Sequence, residues 1–436
     1  MKSSYVGEAW AGMYVGFDLL THRHDQYVGY WDAERRLTVA HRGLEGPSQA
    51  WTHKVLDERL GWDSHNHISL GVDRDGCLHV AGNMHNDPLV LFRTALPGDV
   101  NTLERCEQLV DPLTEQSVTY PEFLNLLDGT LVFSHRDGGS GDGVTYLNAY
   151  DEPSGTWRRL LGEPLFDGAA QGVQGPWSAY FEGPTFGPDG RFHMVWLWRE
   201  TPDAATNSML THACSEDLVT WTDIFGAPLC TPLRYGSGGV VDPVPAGGGL
   251  LNGLAHLGFD STDRPYIIFH KYDDAGLSQL YLALPDALTG AWESHRITDW
   301  YRRWSFGGHG TLIFAVQILG SQQLDEGRVR VDARAFGEDL SIFLGTDLRT
   351  MYKGPTPPWP ERLSEVRGGF AGMRANHRRG RGVDVSAEEH ILRWESLPEN
   401  RDRPYSEHPR SSPLEVVRLH AHGRRRSSGL SSRHPT

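Results

Sequence analysis

Two short segments of the chain concentrate imidazole and amide side chains. The first carries His65 and His67, and the second carries Asn83 and His85. The pair Asp75-Gly76 between them predicts a tight hairpin turn, because such a turn needs the positive φ that glycine supplies. Both segments are then expected at the same end of two adjacent strands. Imidazoles transfer protons near neutral pH, so the cluster indicates a catalytic or binding site; the alternative is that these groups satisfy strand-end backbone atoms.

A tyrosine and an arginine bracket a later turn in the same way. Tyr180 and Arg199 lie on either side of Asp189-Gly190. A phenol can transfer a proton, and a guanidinium can hold a carboxylate through its planar fork. The alternatives are an aromatic core position for Tyr180 and a surface ion pair with Glu200 for Arg199.

Further polar side chains recur at corresponding points along the chain. Each alone is more typical of a structural role, but their recurrence favours a central polar funnel to which distant segments contribute one shared pocket. These candidates are Arg136, Asn148, Asn207, Asp242, His256, Lys271, Tyr272, Arg303 and His309.

The elements that would position these residues follow from an internal repeat. Turn residues precede an alternating strand at Asp75-Gly76, Asp128-Gly129, Asp189-Gly190 and Asp263-Arg264. The period of about 55 to 70 residues suits one four-stranded sheet. The sequence therefore predicts an all-β fold, a seven-bladed β-propeller of four-stranded antiparallel blades. The segments Tyr27 to Tyr30 and Leu37 to Ala40 are expected to close the ring by pairing with Ile391 to Trp394.

Three regions are predicted within the chain. Residues 1–419 form one propeller domain, with an irregular insertion near 345–385 that contains a proline-rich run and a basic cluster. Residues 420–436 form a disordered basic tail.

Composition excludes several classes of partner. The formal net charge of −15 argues against nucleic acid, which requires concentrated lysine and arginine. A run of about 18 apolar residues is absent, which argues against a membrane span. No leader is recognised, so the sequence is expected to be cytoplasmic, or a mature chain whose leader is missing. A monomer is expected as well. The sequence also lacks the motifs of phosphate loops and zinc helices, so no cofactor is expected to be required and no metal ligands are predicted.

Several motifs resemble those of the BNR-4 repeat family. The match runs from about Tyr27 to Leu419. The motifs are Asp63-Ser64-His65-Asn66-His67-Ile68-Ser69, Gly82-Asn83-Met84-His85, Tyr120-Pro121-Glu122-Phe123, Arg136-Asp137-Gly138-Gly139-Ser140-Gly141, His270-Lys271-Tyr272-Asp273 and Arg393-Trp394-Glu395. Characterised members of that family are seven-bladed propeller polysaccharide lyases: the ulvan lyases and the L-rhamnose-α-1,4-D-glucuronate lyases.

The resemblance implies site residues and a partner. Ulvan lyases use two histidines, a tyrosine and an arginine, which look like His65, His85, Tyr180 and Arg199. The rhamnose-glucuronate branch uses one histidine, matched by His65 or His67, with His41 as a second candidate. The partner implied is an acidic oligosaccharide or polysaccharide, structural calcium is a further possibility, and such relatives are generally secreted. The remaining candidates would bind substrate: His41, His67, Asn83, Arg136, His256, Lys271, Tyr272 and Arg303.

The implied reaction is β-elimination beside a uronic acid. The proton at C5 becomes acidic when the neighbouring carboxylate is neutralised, which Arg199 with His85 and Asn83 would do. His65 or Tyr180 would take the proton, and Tyr180 or a histidine would return one to the leaving oxygen. The alternatives are a propeller glycoside hydrolase of rhamnosidase or sialidase type, and a non-catalytic glycan-binding propeller.

Overall fold

Short strands joined by tight turns dominate the computed structural model. It describes residues 2–45, 49–107, 109–168, 177–310, 312–357, 360–384 and 388–419, so the predicted tail at 420–436 lies outside the described residues. These residues fall into two compact units. The first unit consists of those within 1–139, 145–162 and 358–424, and the second of those within 140–144 and 163–357.

The strands of the first unit precede and follow those of the second in the chain. The first fourteen are Lys2–Trp10 (β1), Asp18–Arg23 (β2), Asp25–Trp31 (β3), Arg36–Gly43 (β4), Thr52–Arg59 (β5), Ile68–Val72 (β6), Leu78–Gly82 (β7), His85–Asp87 (β8), Leu91–Thr94 (β9), Leu103–Arg105 (β10), Val118–Asn125 (β11), Leu131–Asp137 (β12), Val144–Asp151 (β13) and Thr156–Arg159 (β14). The second unit holds Ser178–Phe186 (β15), Phe192–Arg199 (β16), Asn207–Ser215 (β17), Trp221–Thr222 (β18), Pro228–Leu229 (β19), Val240–Asp242 (β20), Ala255–Phe259 (β21), Pro265–Tyr272 (β22), Ser278–Asp286 (β23), Ala291–Arg296 (β24), Val316–Gln323 (β25), Val329–Ala335 (β26), Glu338–Leu344 (β27) and Thr350–Gly354 (β28). The chain then returns to the first unit with Arg374–Arg379 (β29), Arg381–Asp384 (β30), Glu389–Ser396 (β31) and Ser411–Leu419 (β32).

Within the described ranges, helical structure is confined to short turns. They are the α-helical turn Glu361–Ser364 (α1) and the 3₁₀ turns Val100–Thr102, Pro112–Thr114, Ala204–Thr206 and Asp325–Gly327. In the described part of the chain, no helix is both long and apolar enough to cross a membrane.

The described strands form seven sheets. In the first unit their orders are β30-β2-β3-β4-β5, β10-β9-β7-β6, β14-β13-β12-β11-β8 and β1-β32-β31-β29; in the second they are β15-β16-β17-β18-β19 with β20 beside β17, β21-β22-β23-β24 and β25-β26-β27-β28. Pairing is antiparallel along these sheets, while β2 and β30 run parallel. The prediction of an all-β fold of antiparallel sheets, several of them four-stranded, is confirmed.

Four turns close hairpins where the sequence repeat predicts them. In each, the first residue of a five-residue turn donates its N–H to the carbonyl of the fifth. The bonds are Asp73 to Cys77 (3.0 Å), Leu126 to Thr130 (2.9 Å), Gly187 to Arg191 (2.7 Å) and Asp260 to Arg264 (2.9 Å). The fourth residue has positive φ: Gly76 (84°), Gly129 (85°), Gly190 (83°) and Asp263 (65°). The sequence repeat therefore corresponds to one type of hairpin turn that occurs four times.

The predicted closing pair of strands is wrong. Ile391–Trp394 belongs to β31, which pairs with β29 and β32, whereas the opening segments belong to β3 and β4. Instead β1 pairs with β32, with Lys2 opposite Arg418 and Trp10 opposite Ser411. The sequence did not indicate β1 as the closing strand because it is an edge strand. Its exposed and buried positions are mixed, so it lacks the alternation of polar and apolar residues that predicts a strand.

The segment predicted as an irregular insertion, 345–385, contains regular elements. Strands β28, β29 and β30 and the turn α1 fall within it. Its basic cluster is used structurally, since Arg381 pairs with Asp18 on β2. The guanidinium also donates to the carbonyls of Leu70 on β6 (2.6 Å) and Phe123 on β11 (2.9 Å). One side chain thus joins three sheets of the first unit.

Replacing Arg381 with alanine is expected to destabilise the fold by about 3 to 5 kcal/mol, because it leaves the buried carboxylate of Asp18 without its cation. Attraction to Arg381 outweighs burial and lowers the pKa of Asp18, so the carboxylate is charged at neutral pH. Urea unfolding measures the loss. The control Arg379→Ala removes an exposed arginine paired with Glu389 and should cost less than about 1 kcal/mol. Equal losses in the two variants would contradict the assigned role.

Candidate active site

The two histidine segments meet at one end of the β6–β7 hairpin. Ile68 pairs with Gly82, so the residues before β6 and after β7 leave the sheet at the same end, as the sequence predicts. The indole N–H of Trp31 donates to the Asn66 carbonyl (3.1 Å). Since Trp31 is fully buried, this bond attaches the segment around His65 to the core of the first unit.

Asp63 joins the two predicted catalytic histidines. His65 Nδ1 lies 2.7 Å from Asp63 Oδ1, and His85 Nδ1 is hydrogen-bonded to Asp63 Oδ2. The backbone N–H of His65 also donates to Asp63 Oδ1 (2.9 Å). One carboxylate therefore orients both rings, which stack with centroids 4.0 Å apart and planes inclined by 26°.

These contacts fix the tautomer of both rings. An ionised carboxylate only accepts hydrogen bonds, so each Nδ1 carries the proton and each neutral ring has its lone pair on Nε2. Burial would raise the pKa of Asp63, but the hydrogen bonds from His65 and His85 outweigh it and lower that pKa below its usual range. Both histidine side chains are about one quarter exposed, at 23% and 27%, and neither Nε2 has a hydrogen-bond partner among the described residues. The pair thus presents two available bases.

A tyrosine and an arginine stand beside this pair in the first unit. The ring of Tyr120 on β11 lies 6.4 Å from that of His65, and the guanidinium carbon of Arg136 lies 4.9 Å from the centre of the Tyr120 ring. Tyr120 has a φ of 56°, in the left-handed region, where the register of β11 shifts. Such strain in a non-glycine residue is common at functional sites.

Sequence reasoning did not single out Tyr120, although it noted the Tyr120–Phe123 motif. The signal lies in strand pairing: Thr119 pairs with His85 on β8, which places Tyr120 next to the histidine segment. Arg136, predicted to bind substrate, is buried on β12 opposite Thr119. The geometry therefore gathers His65, His85, Tyr120 and Arg136.

Three other candidates of the first unit, His41, His67 and Asn83, already have polar partners. The contacts are His67 Nδ1 with the His65 carbonyl (3.0 Å), Asn83 Nδ2 with Glu58 Oε2 (2.7 Å) and His41 Nε2 with Asp25 Oδ1 (2.7 Å). His67 Nε2 also lies 3.2 Å from the Pro121 carbonyl. His67 and Asn83 therefore support the two histidine segments, and their predicted contact with substrate stays a prediction, as does that of His41.

Tyr180 and Arg199 are brought together within the second unit. The Arg199 guanidinium carbon lies 4.0 Å from the centre of the Tyr180 ring, and the Tyr180 hydroxyl is 2.7 Å from Ser140 Oγ. Amide oxygens of Asn207 (2.8 Å) and Asn252 (2.5 Å) accept from the same guanidinium. Both side chains are buried, so the alternative of a surface ion pair for Arg199 does not describe its setting. Their predicted catalytic role in one pocket with His65 and His85 stays a prediction.

The remaining candidates of the second unit also have partners. The contacts are His256 Nε2 with Ser321 Oγ (3.0 Å), Lys271 Nζ with Asp242 (2.6 Å), the Tyr272 hydroxyl with the Trp304 carbonyl (2.7 Å) and the Arg303 guanidinium carbon with the centre of the Tyr272 ring (3.7 Å). Their predicted role in binding substrate is not decided by these contacts.

Comparison with known proteins places the chain in a family. A family model described as BNR repeat-containing family member matches residues 25–300. The chain belongs to the BNR repeat-containing family. This confirms the resemblance carried by the sequence motifs.

Three of the proteins that are similar to this chain are polysaccharide lyases. An ulvan lyase, long isoform, of Glaciecola sp. (strain KUL10) is 33% identical over 64 residues, which is 15% of this chain and only 6% of that protein. The crystal structure of polysaccharide lyase Uly1 matches with a TM-score of 0.62 at 13% identity over 93% of this chain and 90% of that one. A PL25 ulvan lyase bound to -[GlcA(1-4)Rha3S]- matches with a TM-score of 0.59 at 11% identity over 95% of each chain. The BNR repeat chain therefore shares their fold.

Asp63, His65 and His85 of the BNR repeat chain also offer metal ligands. Donor atoms of Asp63, His65 and His85 lie within 4.8 Å of one another, an arrangement that sequence spacing did not predict. A metal ion on the two Nδ1 atoms would displace the protons that bind Asp63. If Asp63, His65 and His85 transfer protons in a reaction, we expect the protonated form to be the active one, so a chelator should leave turnover unchanged and zinc should inhibit. Loss of turnover on chelation, restored by zinc, would contradict this.

Glu182 on β15 gives the BNR repeat chain a pH-dependent stability. Glu182 is an exposed residue, yet the protein atoms packed around its carboxyl group desolvate it and raise its pKa to about 7. As pH rises from the ordinary pKa of glutamate to about 7, the Glu182 carboxyl group loses its proton in the unfolded chain but keeps it in the folded one. The free energy of unfolding therefore falls as pH rises through this range. Glu182→Gln should therefore be more stable than wild type at pH 8, by about 1 kcal/mol because solvent screens the charge, and equal to it at pH 4. Thermal unfolding at both pH values measures this, and a variant less stable at pH 8 would contradict it.

Proposed function

We propose that this BNR repeat chain is a polysaccharide lyase that cleaves the bond to O4 of a uronic acid by β-elimination, in a polysaccharide with a rhamnose-glucuronate or ulvan-type linkage. The observation that carries the proposal is the pair of stacked histidines whose Nδ1 atoms share Asp63, with Tyr120 and Arg136 beside them. β-Elimination requires a base, an acid and a cation, and these four side chains include all three.

The fold supports the same proposal. Uly1 and the PL25 ulvan lyase, which match over nine tenths or more of both chains, are polysaccharide lyases, and the second is bound to -[GlcA(1-4)Rha3S]-. The seven sheets are the number that the predicted seven-bladed propeller requires. As part of this proposal, each sheet is a blade.

Removal of the C5 proton is the first step. The proton is weakly acidic while the adjoining carboxylate is fully charged, so a cation at that carboxylate is needed to stabilise the carbanion-like state. Arg136 supplies a guanidinium in the first unit. The lone pair on Nε2 of His65 or His85 then accepts the proton, and the resulting imidazolium is stabilised by the ionised Asp63.

Departure of the sugar at C4 is the second step. The electrons left at C5 form the C4–C5 double bond as the C4–O4 bond breaks, and the leaving oxygen takes up a proton. Tyr120 is suited to donate it, because the Arg136 guanidinium over its ring stabilises the phenolate left behind. Proton and electron movements then balance without any redox partner.

The experiment is incubation of the full chain with ulvan, gum arabic and heparin. A lyase produces an unsaturated uronate that absorbs in the ultraviolet, together with a new reducing end. We expect absorbance to rise with ulvan or gum arabic. New reducing sugar without absorbance would show a hydrolase, and binding without either product would show a glycan-binding propeller; each would overturn the proposal.

A further inference from the structure

The loop between β31 and β32 reaches the candidate active site. Asp402 Oδ1 accepts hydrogen bonds from the backbone N–H (3.3 Å) and the hydroxyl (3.4 Å) of Ser64. The same oxygen lies 4.0 Å from His65 Nδ1. Because Ser64 lies between Asp63 and His65 in the chain, these bonds attach the loop directly to the residues that hold the proposed base.

The turn around Asp402 has a specific conformation. Arg401 and Asp402 have φ values of 53° and 58°, so two consecutive non-glycine residues adopt the left-handed region. Asn400 holds the turn: its side-chain amide donates to the Arg403 carbonyl (3.0 Å) and its own carbonyl accepts from the Arg403 N–H (3.1 Å). The bonds within the turn hold this unfavourable backbone conformation, and the two Asp402–Ser64 bonds set the distance of that backbone from Ser64.

Two arginines flank Asp402 in this turn. Arg401 and Arg403 are exposed, and neither forms an ion pair with any residue that the structure describes. This contrasts with Arg393 within β31 and Arg410 at the end of the loop, which pair with glutamates. In a chain of net charge −15, two arginines left unpaired beside an acid-base centre provide a local attraction for anions.

We propose that the turn at residues 400–403 is an anion-binding subsite of the active site. Arg401 and Arg403 hold a sulfate or carboxylate substituent on a sugar next to the cleaved linkage, and Asp402 fixes the turn to Ser64. The inference rests on the proposed lyase function, which supplies the substrate. This subsite would contribute to substrate specificity, because the enzyme would favour polysaccharides that carry an anionic group beside the reacting uronate.

The test is the double variant Arg401→Gln/Arg403→Gln, assayed with native and with chemically desulfated ulvan. Loss of the two cations should raise KM about five- to twentyfold with kcat within about twofold of wild type, since neither arginine takes part in proton transfer. Raised KM on native ulvan alone identifies sulfate as the bound group, and raised KM on both substrates identifies carboxylate. The salt dependence of KM should also weaken in the variant.

A matched control is Arg158→Gln/Arg349→Gln, which removes two exposed arginines that have no ion pair among the described residues. Its KM should stay within about twofold of wild type. An unchanged KM in the Arg401/Arg403 variant on both substrates, or a rise equal to that of the control, overturns the subsite. If wild type forms no unsaturated product, the lyase proposal fails separately; calorimetric binding of ulvan oligosaccharides, lost in the variant but not in the control, then still supports the subsite, and its absence overturns it.

Discussion

Asp63→Asn is expected to reduce kcat by about 10²- to 10⁴-fold while leaving the fold intact. The amide that replaces the carboxylate presents an N–H group to one of the two histidines, so that ring must carry its proton on Nε2 instead of Nδ1. The Nε2 atom of that ring can then no longer accept a proton. The imidazolium formed in the reaction also lacks the negative charge of Asp63 that stabilises it. Initial rates of absorbance increase, with circular dichroism to confirm folding, measure the effect.

The matched control is Asp25→Asn. Asp25 makes the same kind of contact with His41, at 2.7 Å, also in the first unit. If His65 and His85 are the acid-base residues, this variant keeps kcat within about twofold of wild type. A large loss in Asp25→Asn with none in Asp63→Asn would instead identify His41 as the catalytic histidine.

Tyr120→Phe is expected to reduce kcat by about 10²- to 10³-fold with a small change in KM. The substitution keeps the ring under the Arg136 guanidinium and removes only the hydroxyl that protonates the leaving oxygen. A substrate with a good leaving group, such as a 4-O-nitrophenyl uronate, should restore much of the rate because it departs without a proton. Kinetics with both substrates separate a lost acid from a disturbed site.

Tyr180→Phe is the comparison that tests the sequence interpretation. Sequence analysis assigns the catalytic tyrosine to Tyr180, whereas the contacts in the first unit favour Tyr120. The Tyr180 hydroxyl contacts Ser140 Oγ, so its removal is expected to cost stability of about 1 kcal/mol and little activity. If only Tyr180→Phe abolishes turnover, the sequence assignment is correct and Tyr120 is not the acid.

The hairpins and the histidine pair could be predicted because their signals are local. Asp-Gly at the third and fourth positions of three of the turns reports positive φ, and turn spacing determines which strand ends meet. His65 precedes the first strand of one such hairpin and His85 follows its second strand. No packing across the molecule was needed to bring them together.

The rest depends on contacts between residues far apart in sequence. Asp63 is one of 56 acidic residues, and nothing in its neighbourhood shows that both histidines bind to it. Tyr120 reaches His65 through a shift in the register of β11, which strand alternation cannot reveal. Arg381 was interpreted as part of an irregular basic cluster because its carboxylate partner lies 363 positions away.

The pairing of β1 with β32 affects how the chain matures on the ribosome. The contact between Glu8 and Ser411 spans 403 positions, so the edge of β1 leaves the exit tunnel long before its partner is translated. Bringing two strands so far apart in sequence together costs conformational entropy, and only the contacts of the completed sheet offset this cost. Until Ser411–Leu419 have left the exit tunnel, the backbone groups by which β1 pairs with β32 are unpaired, and this edge is open to incorrect pairing with other strands.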